Sequence, residues 1–181
     1  MLSHDQRKTL LHIARHSIET HLGGTRAELH DHAYDETLRR PAGAFVTLRT
    51  QRGDLRGCIG SIVAMEPLFR AVATSAVSAA CRDPRFVPVA MTELPQLGLE
   101  ISVMGPIELV HNIDEIVCGR DGLIVRLGRN AGLLLPQVAT EYGWNRDTFL
   151  DQTCVKAGLP RNSWRTGECR IEKFSAEVFG E

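Results

Sequence analysis

The five residues from Arg56 to Gly60 bring together side chains that can do chemistry. On a β-strand, Arg56 and Cys58 point to the same face, about 7 Å apart, and Leu55 and Ile59 are expected to point to the other face, toward the core. A guanidinium group at that distance favours the thiolate, which is the nucleophilic form of cysteine. The pattern predicts a catalytic thiol at Cys58 and a ligand held by Arg56 and by the bare backbone of Gly57 and Gly60. The alternative is a small buried cysteine between glycines that serve packing.

Glu100 is a second catalytic candidate. It lies on the face opposite Leu99 and Ile101 in the alternating segment 97–104, where those two apolar residues predict a half-buried strand. If this strand is the neighbour of the strand that carries Cys58, the Glu100 carboxylate joins the thiol on one face and acts as a base or an orienting group. The alternative is a solvated carboxylate on the outer face of the sheet.

Asp83 and Arg85 flank Pro84 just beyond the end of a predicted helix. They either bind a ligand in the same cleft or anchor a loop by ion pairing. We expect Cys58 to lie in this cleft and to be the most acidic of the five thiols. The predicted walls of the cleft are Arg56, Glu100 and the turn from Asp83 to Arg85.

No metal or cofactor is expected from the sequence. The five cysteines are odd in number, widely spaced and without a Cys-x-x-Cys motif, which predicts reduced thiols. His12 and His16 have the i, i+4 spacing that can chelate a metal, but no glutamate completes a metalloprotease motif, so surface histidines explain them better. No histidine is near Cys58 in sequence, and only His111 or the pair His30 and His32 would be left to act as its base.

Composition excludes several classes of protein. The chain has 181 residues, no linker and a formal net charge of −1, which predicts one domain over residues 1–181 without a nucleic-acid-binding surface. No apolar run approaches the ~20 residues of a membrane span, so no membrane association is expected. The first residues, MLSHDQRK, lack the apolar stretch of a signal peptide, and we expect a cytoplasmic protein.

The elements that position the candidate residues follow from hydrophobic periodicity. The pattern predicts a helix over 4–22, strands over 44–50 and 55–60 joined as a hairpin, and a helix over 68–81, with 25–40 irregular. Gly105-Pro106 is expected to interrupt the strand 97–104, and residues 107–110 either extend it or start a bend. A second hairpin (122–127 with 131–135), a helix opening with Pro136, a helix over 146–157 capped by Asn145 and a last strand over 170–179 follow. The elements do not alternate as βαβ units, so we predict an α+β fold with a mainly antiparallel sheet flanked by helices.

Several ordered motifs carry a resemblance to a known family. The hexapeptide Leu55–Gly60 is the main one, and others surround it. These are Gly43–Leu48, Asp83–Phe86, Glu93-Leu94, Leu99–Val103, Leu135–Ala139, Gly143-Trp144, Phe149-Leu150 and Lys156–Leu159. Over roughly residues 5–178 the chain resembles the AMME chromosomal-region protein family, whose microbial members are called AmmeMemoRadiSam system protein A. The resemblance implies a larger and a smaller subdomain, and association with a Memo-like protein and a radical SAM protein.

The sequence supports two functional hypotheses. The first is an enzyme, or an enzyme component of the AmmeMemoRadiSam system, with a cleft around the Leu55–Gly60 hexapeptide that takes an unknown small-molecule ligand. The second is a non-catalytic module that docks onto the Memo-like or radical SAM partner. A reachable thiol at Cys58 supports the first, and a buried thiol with an exposed apolar patch elsewhere supports the second. The grouping of Arg, Cys and Gly on one hairpin favours the first.

Overall fold

Helix α1 (His4–Leu22) forms where the periodicity predicts it, in a computed structural model that describes residues 1–181. Its first turn is closed by a capping box: the Ser3 hydroxyl accepts the N–H of Gln6 at 3.2 Å, and the Gln6 side chain accepts the N–H of Ser3 at 2.8 Å. Its apolar stripe is buried, and the helix ends at Gly23. Leu10, Ile13, Ala14 and Ile18 form that stripe.

Residues 25–40 are less irregular than the sequence predicts. They contain a 3₁₀ turn at Asp31–Ala33 and the short helix α2 (Glu36–Arg39). The Asp35 carboxylate caps α2 by accepting the N–H of Leu38 at 3.0 Å, and the Leu38 side chain is buried. A side-chain cap and a buried apolar residue thus stabilise a short helix that the polar composition of the segment does not predict.

The predicted hairpin and the helix that follows it are confirmed. Strands β1 (Ala44–Arg49) and β2 (Leu55–Ser61) pair antiparallel, α3 (Leu68–Cys81) comes next, and β3 (Gly98–Leu109) pairs with the other side of β1. One face of these strands packs on α3, and α3 packs on α1, around a single apolar core. That face includes Ala44, Val46, Leu48, Leu99 and Ile101, all buried as the alternation predicts.

Three strand predictions are corrected by the structure. Strand β1 lies between β2 and β3, so the strands of Cys58 and Glu100 are not neighbours. Strand β3 continues through Gly105-Pro106, because its pairing with β1 reaches only to Val103 and a proline N beyond that point removes no bond of this ladder. A β-bulge beside Arg49 pairs it with Leu55 and leaves Arg56 as the extra residue; Leu55 is consequently 38% exposed instead of joining the core.

The second half of the chain folds as predicted. The Asn145 side chain accepts the N–H of Thr148 at 2.9 Å and caps the helix that begins at Arg146. The inner side chains of this helix, Phe149, Leu150 and Cys154, are fully buried. The elements are β4 (Asp121–Leu127), β5 (Asn130–Leu134), α4 (Pro136–Glu141), α5 (Arg146–Lys156) and β6 (Arg170–Gly180).

The six strands form one sheet in the order β2-β1-β3-β6-β4-β5, which confirms the α+β class with antiparallel pairing. The chain divides into two compact units of unequal size. The first contains residues 1–104 and 177–181, and the second contains residues 105–176. Among the helices, none has both the length and the apolar character needed to cross a lipid bilayer.

Candidate functional site

The Cys58 thiol lies on the face of the sheet that points away from α3. Cys58 is paired across the hairpin with Thr47, whose hydroxyl donates a hydrogen bond to the sulfur, with Oγ1 and Sγ 3.3 Å apart. Thr47 is buried, Cys58 is half-buried, and the thiol is free of any disulfide. The hydroxyl fixes the direction of the sulfur without blocking it by a covalent bond.

The turn at Asp83–Arg85 holds the backbone of Cys58 from the outer edge of β2. As the first strand of the sheet, β2 has an edge of N–H and C=O groups with no neighbouring strand. The Asp83 carboxylate accepts the N–H of Cys58 at 2.9 Å, and the Arg85 guanidinium donates to the C=O of Cys58 at 3.3 Å. Two side chains thus take the place of a missing strand at the residue that carries the thiol.

Asp83 is held as a carboxylate. Its side chain is only 1% exposed, yet hydrogen bonds from the Arg85 guanidinium, at 2.6 and 2.9 Å, and from the N–H groups of Cys58 and Arg85 outweigh the effect of burial. Together they hold the pKa of Asp83 well below its usual range. A group so firmly ionised is a poor proton donor or acceptor near neutral pH. Asp83 instead holds the Cys58 backbone and the Arg85 side chain in place through hydrogen bonds.

The Arg56 guanidinium is already bound by a carboxylate of the protein. Its Nε and Nη2 atoms donate to the two oxygens of Glu93 at 2.6 and 3.1 Å, and these bonds lower the pKa of Glu93. The Arg56 side chain is 13% exposed and lies over the ring of Phe86, 5.9 Å from its centroid. Arg56 therefore joins β2 to the segment after α3, and only its buried Nη1 has no partner.

At both glycines of the hexapeptide, other atoms of the protein occupy the place that a side chain would take. A side-chain carbon added at Gly57 would meet the carbonyl oxygen of Ala79 in α3 at 2.2 Å, a backbone atom that cannot move aside. At Gly60 the same carbon would meet the carbonyl oxygen of Ala44 in β1 at 2.3 Å and the Phe45 side chain at 2.5 Å. Gly57 allows the close approach of α3 and Gly60 allows the close approach of β1, so both glycines have a packing role in the hairpin.

Glu100 shares the face of Cys58 but not its immediate surroundings. It is paired with Thr47 from the other side of β1, so Cys58, Thr47 and Glu100 form a row across three strands. Two strand spacings separate the first and last of these, roughly 10 Å. The nearest cation of Glu100 is Arg49, with the charged atoms 3.8 Å apart.

No histidine donates a hydrogen bond to Cys58 or accepts one from it, and His30 and His32 stack on each other with ring centroids 5.5 Å apart. No group of three His, Cys, Asp or Glu side chains is placed to hold a metal ion. The arrangement around Cys58 is thus a thiol with a hydroxyl partner and a rigid backbone, without an adjacent general base.

Sequence reasoning missed two residues of this site, Thr47 and Glu93. Thr47 is the one polar residue among the apolar side chains from Ala44 to Leu48, and that break in the pattern could have indicated it. Glu93 belongs to one of the family-like motifs but has no spacing that connects it to Arg56, which is 37 residues away.

Comparison with known proteins decides the family. The sequence model of AMMECR1 matches residues 11–179. The chain belongs to the AMMECR1 family. A protein of Methanothermobacter thermautotrophicus is 44% identical to it, over 99% of this chain and 96% of that one. Protein MJ0810 of Methanocaldococcus jannaschii is 40% identical, over 93% of this chain and 86% of its own length.

A solved structure supports the fold of this AMMECR1-family chain. The crystal structure of the uncharacterized protein PH0010 from Pyrococcus horikoshii superimposes with a TM-score of 0.88 at 41% sequence identity. The match covers 95% of this chain and 89% of that one. The family and its α+β fold are therefore shown.

Proposed function

We propose that this protein is a cysteine-dependent enzyme or enzyme component whose reactive group is the thiol of Cys58. The observation that carries the proposal is the combination of a half-buried free thiol with a hydroxyl donor 3.3 Å from its sulfur and a backbone whose N–H and C=O groups are both held from the outer edge of β2. A nucleophile needs a fixed direction and a free reactive atom, and Cys58 has both. The AmmeMemoRadiSam system is the proposed setting, with a small-molecule ligand of the cleft as substrate.

The surrounding residues take distinct parts in this proposal. Asp83 and Arg85 are positioning residues, because they bind the backbone of Cys58 and leave its sulfur untouched. Arg56 is also a positioning residue, since its guanidinium is bound to Glu93. Glu100 would act as a base only on a substrate that extends across Thr47 from one strand to the next. Gly57 and Gly60 shape the strand, because other atoms of the protein occupy the place of a side chain at each of them.

Alkylation of the native protein tests the thiol. Burial raises the pKa of Cys81, Cys118, Cys154 and Cys169, which makes each of these a slow nucleophile at pH 7. With iodoacetamide and mass-spectrometric site mapping, Cys58 should be modified faster than the other four. Thr47→Val, which removes the hydroxyl and keeps the shape, should change the rate at Cys58 alone. Glu100→Gln should leave that rate unchanged, because its carboxylate is two strands away.

The opposite result has a clear form. If Cys58 reacts no faster than Cys118 or Cys154, or reacts only after denaturation, the thiol is a buried packing group and the enzymatic proposal fails. A Cys58→Ser protein with an unchanged unfolding transition serves as the unreactive control.

A docking module is the second candidate, and exposed apolar side chains favour it. Val63 and Met65, 53% and 83% exposed, line a groove of about 230 Å³ beside Ile59 and Gly60. The proposed occupant is the Memo-like or the radical SAM protein of the same system. Met65→Glu should abolish complex formation with the purified partner in size-exclusion chromatography, whereas Met91→Glu, at an exposed methionine outside the groove, should not. Equal effects of the two variants would exclude this groove as the docking site.

A further inference from the structure

A separate cavity of about 560 Å³ lies in the first unit, beside the end of α1. It is bounded by α1, by residues 25–29 and by α3, and neither Cys58 nor Arg56 lines it. This volume is in the range of cavities that hold small organic molecules. Apolar side chains form part of its wall, namely Leu29, Ala27, Ala73 and Val77.

Positive charge is concentrated in this cavity. Arg26, Arg70 and Arg82 line it, and Glu66 is the single acidic lining residue, which gives a formal lining charge of +2 with His21 neutral. Arg70 is partly neutralised, because it pairs with Asp31 at 2.7 Å. Arg26 and Arg82 are exposed and take part in none of the ion pairs of the protein. Two guanidinium forks are thus available to an anion, and their geometry suits phosphate and carboxylate oxygens.

The hydroxyl of Ser17, another lining residue, is an independent sign of a ligand. Ser17 is 4% exposed, and its Oγ makes no hydrogen bond within the protein. Hydroxyls inside a helix usually bond to the carbonyl four residues earlier, as Thr9, Thr20 and Thr153 do here. A buried hydroxyl without a partner is unfavourable, and a bound molecule that accepts or donates one hydrogen bond would relieve that cost.

We infer that this cavity binds a small organic anion with at least two negative charges, such as a phosphate ester or a polycarboxylate. Arg26 and Arg82 bind its charged groups, Ser17 hydrogen-bonds to it, and the apolar wall by Leu29 and Val77 contacts its uncharged part. The site is distinct from the one around Cys58 and does not depend on the reactivity of that thiol.

Titration calorimetry tests the site with two probes, inorganic pyrophosphate and citrate, at low ionic strength. Arg26→Ala and Arg82→Ala should each weaken binding about ten-fold or more, which is the size of a lost charge-assisted hydrogen bond. Arg52→Ala removes the same charge from an exposed turn outside the cavity and should leave the affinity within about two-fold. Ser17→Ala should weaken binding and leave the fold intact.

The outcomes separate cleanly. Tighter binding of pyrophosphate assigns phosphate esters, and tighter binding of citrate assigns polycarboxylates. The inference is overturned if neither probe binds, or if Arg52→Ala weakens binding as much as Arg82→Ala, because the interaction is then one of net charge and not of this cavity. Circular dichroism of each variant shows whether a lost affinity reflects a lost fold.

Discussion

At the edge of β2, both arginines are bound to carboxylates of the protein, whereas at the cavity beside α1 two of the three arginines are not. Arg56 and Arg85 use their forks on Glu93 and Asp83, and in doing so they fix the backbone around Cys58. Arg26 and Arg82 hold their charge toward an open cavity. The same side chain therefore serves architecture where its partner lies within the chain, and recognition where its partner must come from outside.

The largest expected difference between the two regions is in the free energy of unfolding after substitution of the neighbouring residues Asp83 and Arg82. Asp83→Ala should lower the free energy of unfolding by about 2 kcal/mol, because it leaves the N–H of Cys58 and the Arg85 fork without their acceptor. Arg82→Ala, one position earlier, should change it by no more than about 0.5 kcal/mol, since its exposed side chain holds nothing in place. Urea denaturation of both variants measures the difference, and similar losses would show that the two regions do not differ in kind.

The contribution of the Asp83 carboxylate to the free energy of unfolding should depend on pH. A carboxyl whose pKa is lower in the folded than in the unfolded protein stabilises the fold fully above its unfolded pKa, about 3.9 for Asp. This contribution is lost as the pH falls through the folded pKa, which hydrogen bonds from Arg85 hold well below the usual range. The difference in free energy of unfolding between wild type and Asp83→Asn should be constant from pH 7 to about 5, and should shrink below about pH 4 by up to roughly 1.4 kcal/mol per pH unit. A difference that does not change with pH would mean that Asp83 is not held in its charged form.

A smaller effect separates two arginine–carboxylate pairs. Arg56→Ala should destabilise the protein by about 1–2 kcal/mol, because it breaks two hydrogen bonds of a side chain that is 13% exposed. Arg70→Ala removes a pair that is 41% and 63% exposed on its two sides, and should cost less than about 1 kcal/mol. Thermal unfolding in 0.5 M salt adds a control, since salt should reduce the effect of Arg70→Ala more than that of Arg56→Ala.

The sequence predicts those helices and strands that hydrophobic periodicity and helix-capping residues define. The stripe of α1 and the cap at Asn145 predicted their helices, and the alternation around Leu99 predicted a strand and its buried face. Strand order was not accessible in this way, because alternation tells which face a residue takes and not which strand lies beside it. That is why Glu100 was placed on the correct face and yet beside the wrong strand.

The candidate site shows the same limit. The turn at Asp83 and Arg85 could be connected to Cys58 because a helix returns the chain to the strand from which it started. The pairing of Arg56 with Glu93 depends on the path of the irregular segment after α3, and no hydrophobic periodicity predicts that path. The cavity of Arg26 and Arg82 is harder still, since its charged residues come from two separate segments and the decisive group, Ser17, looks in sequence like any small residue on a helix.

Two buried serines give the smallest and most specific test of the difference between a group that is satisfied by the protein and one that is not. Ser75 in α3 donates to the carbonyl of Ala44 at 3.3 Å, whereas the hydroxyl of Ser17 in α1 has no partner within the chain. Both alanine variants gain the same small helix propensity, so the comparison between them isolates the hydroxyl. Ser75→Ala should destabilise the protein by about 1 kcal/mol relative to Ser17→Ala, which should be neutral or slightly stabilising in buffer free of multivalent anions. Urea denaturation measures the free energy of unfolding of both variants.

Pyrophosphate or citrate should raise the free energy of unfolding of the wild type more than that of Ser17→Ala, because only a ligand gives the Ser17 hydroxyl a partner. Equal destabilisation by the two variants in anion-free buffer would mean that Ser17 is already hydrogen-bonded, and the cavity would then lose the observation that distinguishes it from an ordinary basic surface.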